Sequence, residues 1–138
     1  MAYKMRESLK IEIDMSNVEI NASNTDEQLI RKVAEVVFEH LAESEFSVED
    51  LCLGVGMSKA TLFRKLKALT GQSTNEFMQT TRLKYAARML AQTDKPVSEI
   101  AYEVGFSDPY YFSRAFKKLF GLSPKQWREK EGEDSANN

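Results

Sequence analysis

Apolar side chains recur at helical spacing from residue 25 onward. Thr25 and Gln28 stand where a capping box begins a helix, and that first helix is predicted to end near Ser44. Its apolar positions are Leu29, Val33, Val36, Val37 and Leu41. No later segment sustains the alternation typical of a strand, so the pattern predicts an all-α protein.

Both ends of the chain lack this periodicity. Residues 1–24 are polar and irregular, apart from the alternating apolar residues Leu9, Ile11, Ile13 and Met15. That stretch predicts either a linker or a short strand that needs a partner. We therefore assign residues 1–25 to a linker or tail and residues 130–138 to a disordered acidic tail.

The middle of the chain contains an internal repeat. Residues 47–77 align with residues 96–127 at an offset of 49, which becomes 50 after one extra residue. Apolar, small and glycine positions keep their character in both copies. The pairs include Val48 with Val97, Gly56 with Gly105, Leu62 with Phe112, Arg64 with Arg114 and Gly71 with Gly121. The agreement predicts two copies of one structural unit.

Each copy has the plan of a helix-turn-helix. In the first, over about residues 47–71, a short helix ends at Gly56, because glycine tolerates the left-handed backbone of such a turn. Met57 then fills the turn, Ser58 can cap the second helix, and Gly71 ends that helix. The second copy, over about residues 97–121, has these counterparts in order: Gly105, Phe106, Ser107 or Asp108 as the cap, Pro109 at the first helical position, and Gly121.

A longer linker helix is predicted between the copies, over about residues 74–92, with Ser73 and Glu76 as its capping box. A helix of ~18 residues spans roughly 27 Å. It can therefore hold two recognition helices about one DNA turn, ~34 Å, apart. After the second copy, Ser123 to Gln126 begin a short last helix, which Trp127 is expected to anchor to the core.

Composition argues against several kinds of function. Among the 138 residues are one cysteine, Cys52, and one histidine, His40, so no ordinary zinc site or intrachain disulfide is expected. They are also a poor basis for nucleophilic catalysis. We expect no enzyme, catalytic residue, metal or cofactor. No run approaches the ~20 apolar residues that span a bilayer, and the N-terminus is charged where a signal peptide is apolar. We therefore expect a cytoplasmic protein without a membrane partner.

The distribution of charge is more informative than its net value of −2. Residues 47–130 hold 14 Lys/Arg against 8 Asp/Glu, a net charge of +6. They lie between residues 1–46, with a net charge of −5, and residues 131–138, with −3. A basic block of this kind is typical of a protein that binds a polyanion. An ordinary solvated surface can have the same excess of positive charge.

The second helix of a helix-turn-helix enters the major groove with its N-terminal end first, so outward residues near that end meet base edges. The candidate base contacts are Lys59, Ala60, Phe63 and Arg64 in the first copy and Asp108, Pro109, Tyr110, Ser113 and Arg114 in the second. Arginine can bind guanine O6 and N7 together, although a surface arginine is also a common partner in helical ion pairs. Ala60 can offer only apolar contact, for example with a thymine methyl. Tyr110 can meet a base or a sugar.

Further residues are candidate phosphate contacts, which position a protein without reading sequence. They are Ser58, Thr61, Lys65 and Lys67 in the first copy, and Ser107, Tyr111, Lys117, Lys118 and Lys125 in or after the second. Each lysine taken alone is more often plain solvated charge. Tyr111 either packs or reaches a phosphate. Leu62, Leu66, Phe112 and Phe116 are expected in the core.

The second copy, EIAYEVGFSDPYYFSRAFKKLFGLSPKQWR, closely resembles the signature of the AraC/XylS family of bacterial transcription regulators, and RLKYAARML at 82–90 resembles that family's linker helix. The resemblance covers about residues 26–129. It implies a seven-helix domain that joins two helix-turn-helix units by the linker helix and places two recognition helices in successive major-groove segments of double-stranded DNA. Contact with RNA polymerase, in most cases for activation, is a further implication.

The segment from Met5 to Asp26 looks like the linker between a phospho-receiver domain and its output domain in hybrid two-component regulators of gut-type Bacteroidetes. The resemblance therefore implies an output module whose signal input, and any homodimer contact, lies in a missing or N-terminal region. Two readings of another class stay open: a helical protein-interaction module that has lost DNA binding, and an enzyme such as a DNA-repair activity. The basic block and paired arginines disfavour the first, and no catalytic cluster supports the second.

Overall fold

A computed structural model describes residues 24–136, which form seven helices and no strand. The helices are α1 (Asn24–Glu39), α2 (Val48–Val55), α3 (Lys59–Thr70), α4 (Thr74–Gln92), α5 (Val97–Glu103), α6 (Pro109–Phe120) and α7 (Pro124–Ala136). The predicted all-α, seven-helix fold is confirmed. The expected linker or strand over residues 1–23 lies outside the described residues. Within them, no helix is both long and apolar enough to cross a bilayer.

The described chain divides into two units. The N-terminal unit holds residues 24–40 and 45–81, which include α1, α2, α3 and the first turns of α4. One side of each helix contributes to a single apolar cluster. Its most buried members are Ile30, Val33, Val37, Leu51, Leu62 and Leu66.

The C-terminal unit holds residues 41–44 and 82–136. Its core includes Phe112 and Phe116, which are both fully buried on one side of α6. The ring of Trp127 lies 5.9 Å from that of Phe116, and its indole N–H donates to the carbonyl of Ala87 at 3.0 Å. The expected anchoring of the last helix by Trp127 is confirmed.

Several helix ends form as their sequences predict. Ser73 and Glu76 exchange backbone–side-chain hydrogen bonds at 3.1 and 3.2 Å, and so make a capping box at the start of α4. Ser123 and Gln126 do the same for α7, at 3.1 and 2.9 Å. These bonds satisfy amide groups that the first turn of a helix leaves without an intrahelical partner.

Both turns of the repeat contain a left-handed glycine, as predicted. Gly56 has a φ of +79°, and its amide donates to the carbonyl of Cys52 at 2.8 Å. Gly105 has a φ of +92°, and its amide donates to the carbonyl of Tyr102 at 3.0 Å. A side chain is strained in this region of backbone space, so each glycine lets the chain leave one helix and begin the next.

Two predicted boundaries were wrong. The first helix ends at Glu39 rather than near Ser44, and in the segment that follows it the carbonyls of Leu41 and Glu43 accept hydrogen bonds from Arg82. The segment after residue 129 was predicted to be disordered, but α7 continues to Ala136. Glutamate and lysine are good helix formers even when exposed, so their charge does not by itself end a helix.

Candidate DNA-binding surface

Helix α3 presents a defined outer face. Ser58 caps its start, accepting from the amide of Thr61 at 3.2 Å and donating to the Thr61 hydroxyl at 2.9 Å. Leu62 and Leu66, one turn apart, are fully buried. At 100° per residue, the opposite face carries Ala60, Phe63, Arg64 and Lys67, all of them exposed.

The character of this face is mixed. Phe63 keeps 47% of its surface exposed, and Ala60 beside it on the helix has no polar side-chain atom. Arg64 lies one residue further on and is also exposed. The N-terminal half of the α3 face therefore combines an apolar patch with one guanidinium group.

Lys59 is tied to the preceding helix. Its Nζ lies 2.9 Å from Oε1 of Glu49 on α2, and both side chains are well exposed. The hydrogen bond from Lys59 holds the pKa of Glu49 below its usual value, and the same bond raises the pKa of Lys59. Both groups are therefore charged at neutral pH. Sequence reasoning missed Glu49, because nothing local marks a partner ten positions away.

An apolar groove lies beside the start of α3. It has a volume of about 580 Å³. Its lining consists of Val48 at the start of α2, Lys59, Ala60 and Phe63 on α3, and Ser73, Thr74 and Asn75 around the start of α4. Thr74 is 3% exposed, and its hydroxyl is buried with no hydrogen-bond partner among the described residues. Nothing in the sequence indicated this groove, since its lining comes from three separate helices.

Helix α6 repeats the design of α3 in the C-terminal unit. Asp108 caps it, its Oδ1 accepting from the amide of Tyr110 at 2.9 Å, and Pro109 occupies the first turn. Asp108, rather than Ser107, is thus the cap. With Phe112 and Phe116 buried, the opposite face carries the residues equivalent to those of α3: Tyr110, Ser113, Arg114 and Lys117.

The two tyrosines at the start of α6 differ in how far their rings are exposed. Tyr110 is 83% exposed, so its ring is available to a partner. Tyr111 is about half exposed, and its ring centroid lies 6.0 Å from that of Phe106, which is buried in the turn. Tyr111 therefore packs on the turn with one side and leaves the other side open, so the phosphate contact suggested for it stays a prediction.

None of the eighteen residues suggested as DNA contacts is buried. In the N-terminal unit Lys65 and Lys67 are exposed and Thr61 is half-buried. In the C-terminal unit Pro109 and Ser113 are half-buried. The exposed members there are Ser107, Asp108, Tyr110, Tyr111, Arg114, Lys117, Lys118 and Lys125. The positions fit a binding surface within each unit, although the contacts themselves stay predictions.

One buried arginine holds the second turn, and sequence reasoning missed it. Arg82 is 6% exposed. Its Nη1 donates to the carbonyls of Leu41 and Val104 at 2.8 and 2.9 Å, and its Nη2 donates to that of Glu43 at 3.2 Å. Burial lowers the pKa of Arg82, and the charge of Glu43 opposes that shift. A Cβ on Gly105 would overlap the guanidinium, so glycine is needed there for space as well as conformation.

The described residues contain no group of three or more His, Cys, Asp or Glu side chains that could hold a metal ion. The helix-turn-helix domain family matches residues 51–130, which is more than half of the chain. The C-terminal domain of AraT, a response regulator from Geobacillus stearothermophilus, is 32% identical, with a TM-score of 0.65 over 74% of this chain and 84% of that one. The chain belongs to the AraC/XylS-type helix-turn-helix family.

Members of the AraC/XylS family are DNA-binding transcription regulators. One solved structure similar to this chain is the DNA-binding domain of the global transcriptional factor AdpA in complex with a target DNA. It is 34% identical, with a TM-score of 0.64 over 74% of this chain and 90% of that one.

Longer proteins also contain a similar segment. Histidine kinase P4 of Formosa agariphila is 41% identical over 115 residues, which make up 83% of this chain and 8% of the kinase. Seven further curated relatives are longer as well, and the chain spans 30–45% of their length.

Proposed function

We propose that this AraC/XylS-type chain binds double-stranded DNA in a sequence-specific manner through α3 and α6, and thereby regulates transcription. The observation that carries the proposal is the equivalence of the two outer faces. Arg64 and Arg114 occupy the same position relative to buried pairs of apolar residues. A role confined to an ion pair gives no reason for this repetition, and neither arginine forms an ion pair with another described residue.

The base-reading residues are those near the N-terminal ends of the two helices. Arg64 and Arg114 can each donate two hydrogen bonds to a guanine, which discriminates against other bases by ~1–3 kcal/mol. Tyr110 and Ser113 add hydroxyl groups to the second face. Asp108 stays a candidate only through the carboxylate oxygen that does not cap α6.

The lysines on and after the two helices are proposed to contact phosphates. Lys65 and Lys67 serve the first unit, and Lys117, Lys118 and Lys125 serve the second. Each phosphate that a lysine neutralises releases condensed counterions. The logarithm of the binding constant therefore falls with the logarithm of the salt concentration, with a slope of about −0.9 per contact. Five such contacts predict a strongly salt-dependent affinity despite the negative net charge of the chain.

In vitro selection from a random duplex library tests the proposal. The purified chain should enrich two short boxes, and a salt titration on the winning duplex should show a steep slope. Salt-dependent binding with no enriched box would contradict sequence specificity. Failure to bind at low salt would favour the protein-interaction module instead.

We further propose that the chain is the output module of a two-component system. One support is AraT, a response regulator whose C-terminal domain is similar to this chain. Another is histidine kinase P4, in which a segment similar to this chain makes up a small part of the protein. The test is the gene itself: a phospho-receiver domain should be encoded upstream of Met1. A start codon at Met1 with no receiver upstream contradicts the proposal.

The remaining proposed partners are RNA polymerase and a second copy of the chain. Because the DNA that it is proposed to bind lies in the bacterial cytoplasm, we propose that the protein acts there. Transcription in vitro from a promoter that carries the selected boxes should rise on addition of the regulator. Two reading helices in one chain let a monomer fill both boxes. Dimerisation is therefore assigned to residues before Asn24 or outside this chain, and sedimentation with and without residues 1–23 tests that assignment.

A further inference from the structure

The two recognition helices differ in chemistry at equivalent positions. Ala60 corresponds to Tyr110 and Phe63 to Ser113, at the offset of 50 that also relates the two arginines. The C-terminal unit thus presents two hydroxyl groups where the N-terminal unit presents a methyl group and a phenyl ring. This part of α3 can therefore form fewer hydrogen bonds with base edges than the equivalent part of α6.

Lys59 adds little hydrogen-bonding capacity to α3. Its ammonium group already donates to Glu49 at 2.9 Å, and any contact with a base has to compete with that carboxylate. Arg64 is then the one uncommitted polar group among the four base-reading candidates of the N-terminal unit. A recognition helix with a single hydrogen-bonding group can still select bases if it reads an apolar feature.

The apolar groove supplies a place for such a feature. Its lining is mostly apolar and includes Ala60 and Phe63 from α3, Val48 from α2 and Thr74 from α4. The groove therefore opens at the N-terminal end of α3, which is the end of a recognition helix that meets base edges. Its volume of about 580 Å³ exceeds that of a methyl group, so the edge of a base can enter with it.

The major groove of DNA offers one apolar recognition element, the C5 methyl group of thymine. Thymine presents an acceptor there as well, its O4, but it is the only base that adds a methyl group able to pack against the phenyl ring of Phe63. An apolar lining at the N-terminal end of α3 thus favours thymine over the other three bases.

We propose that the N-terminal unit selects thymine by its C5 methyl group, which enters the apolar groove that Ala60 and Phe63 line. The inference rests on the proposed DNA binding and adds the chemistry of the first box. Burial of one methyl group contributes about 0.8 kcal/mol, which corresponds to an affinity change of about fourfold. The second box, read by Tyr110, Ser113 and Arg114, should lack this dependence.

Replacement of thymidine by deoxyuridine tests the proposal, because it removes the methyl group and keeps every hydrogen-bonding atom. Selected duplexes are synthesised with single substitutions in each box, and their affinities are measured by fluorescence anisotropy. We expect a loss of about fourfold at one or two positions of the first box and little change in the second. Specific binding that is indifferent to every substitution in the first box, or a first box without thymine, would overturn the inference alone. Absence of specific binding would overturn the proposed function as well.

Phe63→Ser gives the matched protein variant, since serine is the equivalent residue in α6 and position 63 is exposed. It should reduce affinity for the thymidine duplex and leave affinity for the deoxyuridine duplex nearly unchanged, so that the difference between the duplexes disappears. Ser113→Ala is the control and should keep that difference. A Phe63→Ser protein that still distinguishes the two duplexes fourfold would contradict the assignment.

Discussion

At the scale of single residues, Arg64 and Arg114 carry the most specific expectation. Each lies exposed on the face opposite a buried apolar pair. A bidentate bond to guanine is made to one base only, whereas a lysine–phosphate bond is the same for every sequence. Substitution should therefore separate the two kinds of contact.

Arg114→Ala should weaken binding to the selected duplex by ~1–3 kcal/mol and relax the preference at one base position. Lys117→Ala, one turn further along the same face, should instead weaken binding to all duplexes and reduce the salt slope by about one. Titrations against the selected duplex and its single-base variants provide the measurement. If Arg114→Ala leaves base preference intact, Arg114 is a bystander.

The ion pair between Lys59 and Glu49 gives a second residue-scale prediction. Glu49→Gln removes the carboxylate that competes with DNA for the Lys59 ammonium group. We expect higher affinity for duplexes of any sequence and a salt slope steeper by up to about one, because one more cation becomes free to contact DNA.

Glu45→Gln makes the same charge change at another exposed position of the N-terminal unit and serves as its control. Equal effects of the two substitutions would show that net charge, rather than the ion pair, governs the result. The measurement is a salt titration of anisotropy at neutral pH. There both groups are charged, since the pKa of Glu49 is lowered and that of Lys59 is raised.

At the scale of elements, substitution of the two turn glycines distinguishes backbone strain from steric overlap with a neighbouring side chain. Both have positive φ, but a Cβ at Gly56 meets nothing within 4 Å, whereas one at Gly105 overlaps the guanidinium of Arg82. Gly56→Ala should destabilise the fold by about 1–2 kcal/mol, the cost of a left-handed alanine. Gly105→Ala should cost clearly more, because it also displaces Arg82 from the carbonyls that it binds.

Urea unfolding of the two alanine variants measures the difference. Equal losses of unfolding free energy would mean that Arg82 moves aside without penalty, and would contradict the positioning role assigned to it. The comparison needs no DNA, so it tests the second helix-turn-helix independently of the proposed function.

Local sequence patterns predicted most of the helices, because each depends on spacing and caps within a few residues. Ser73 with Glu76 and Ser123 with Gln126 are examples. The hydrogen bonds of Arg82 to the segment after α1 were not predictable in this way, since the bonded residues lie some forty positions apart in the chain. The groove and the ion pair of Lys59 with Glu49 were not predicted either, because each brings together residues of different helices. The exposed faces of α3 and α6, in contrast, follow from helical periodicity alone.

At the scale of the whole molecule, the 19-residue helix α4 lies between α3 and α6 in the chain. The length predicted for this linker from the sequence, ~18 residues or roughly 27 Å, leads us to expect boxes about one DNA turn apart. Insertion of five base pairs between the boxes should then place them on opposite sides of the duplex and lower affinity to that of a single box. Insertion of ten should restore part of it. Equal affinity for all three spacings would mean that the two units bind independently.

Sequence-specific binding of duplex DNA is the central claim, and the ratio of two affinities tests it most directly. The chain should bind its selected duplex at least ~10³-fold more tightly than a scrambled duplex of the same length and composition, at physiological salt. A ratio near one would contradict the account, since it would show that α3 and α6 meet DNA without reading its bases.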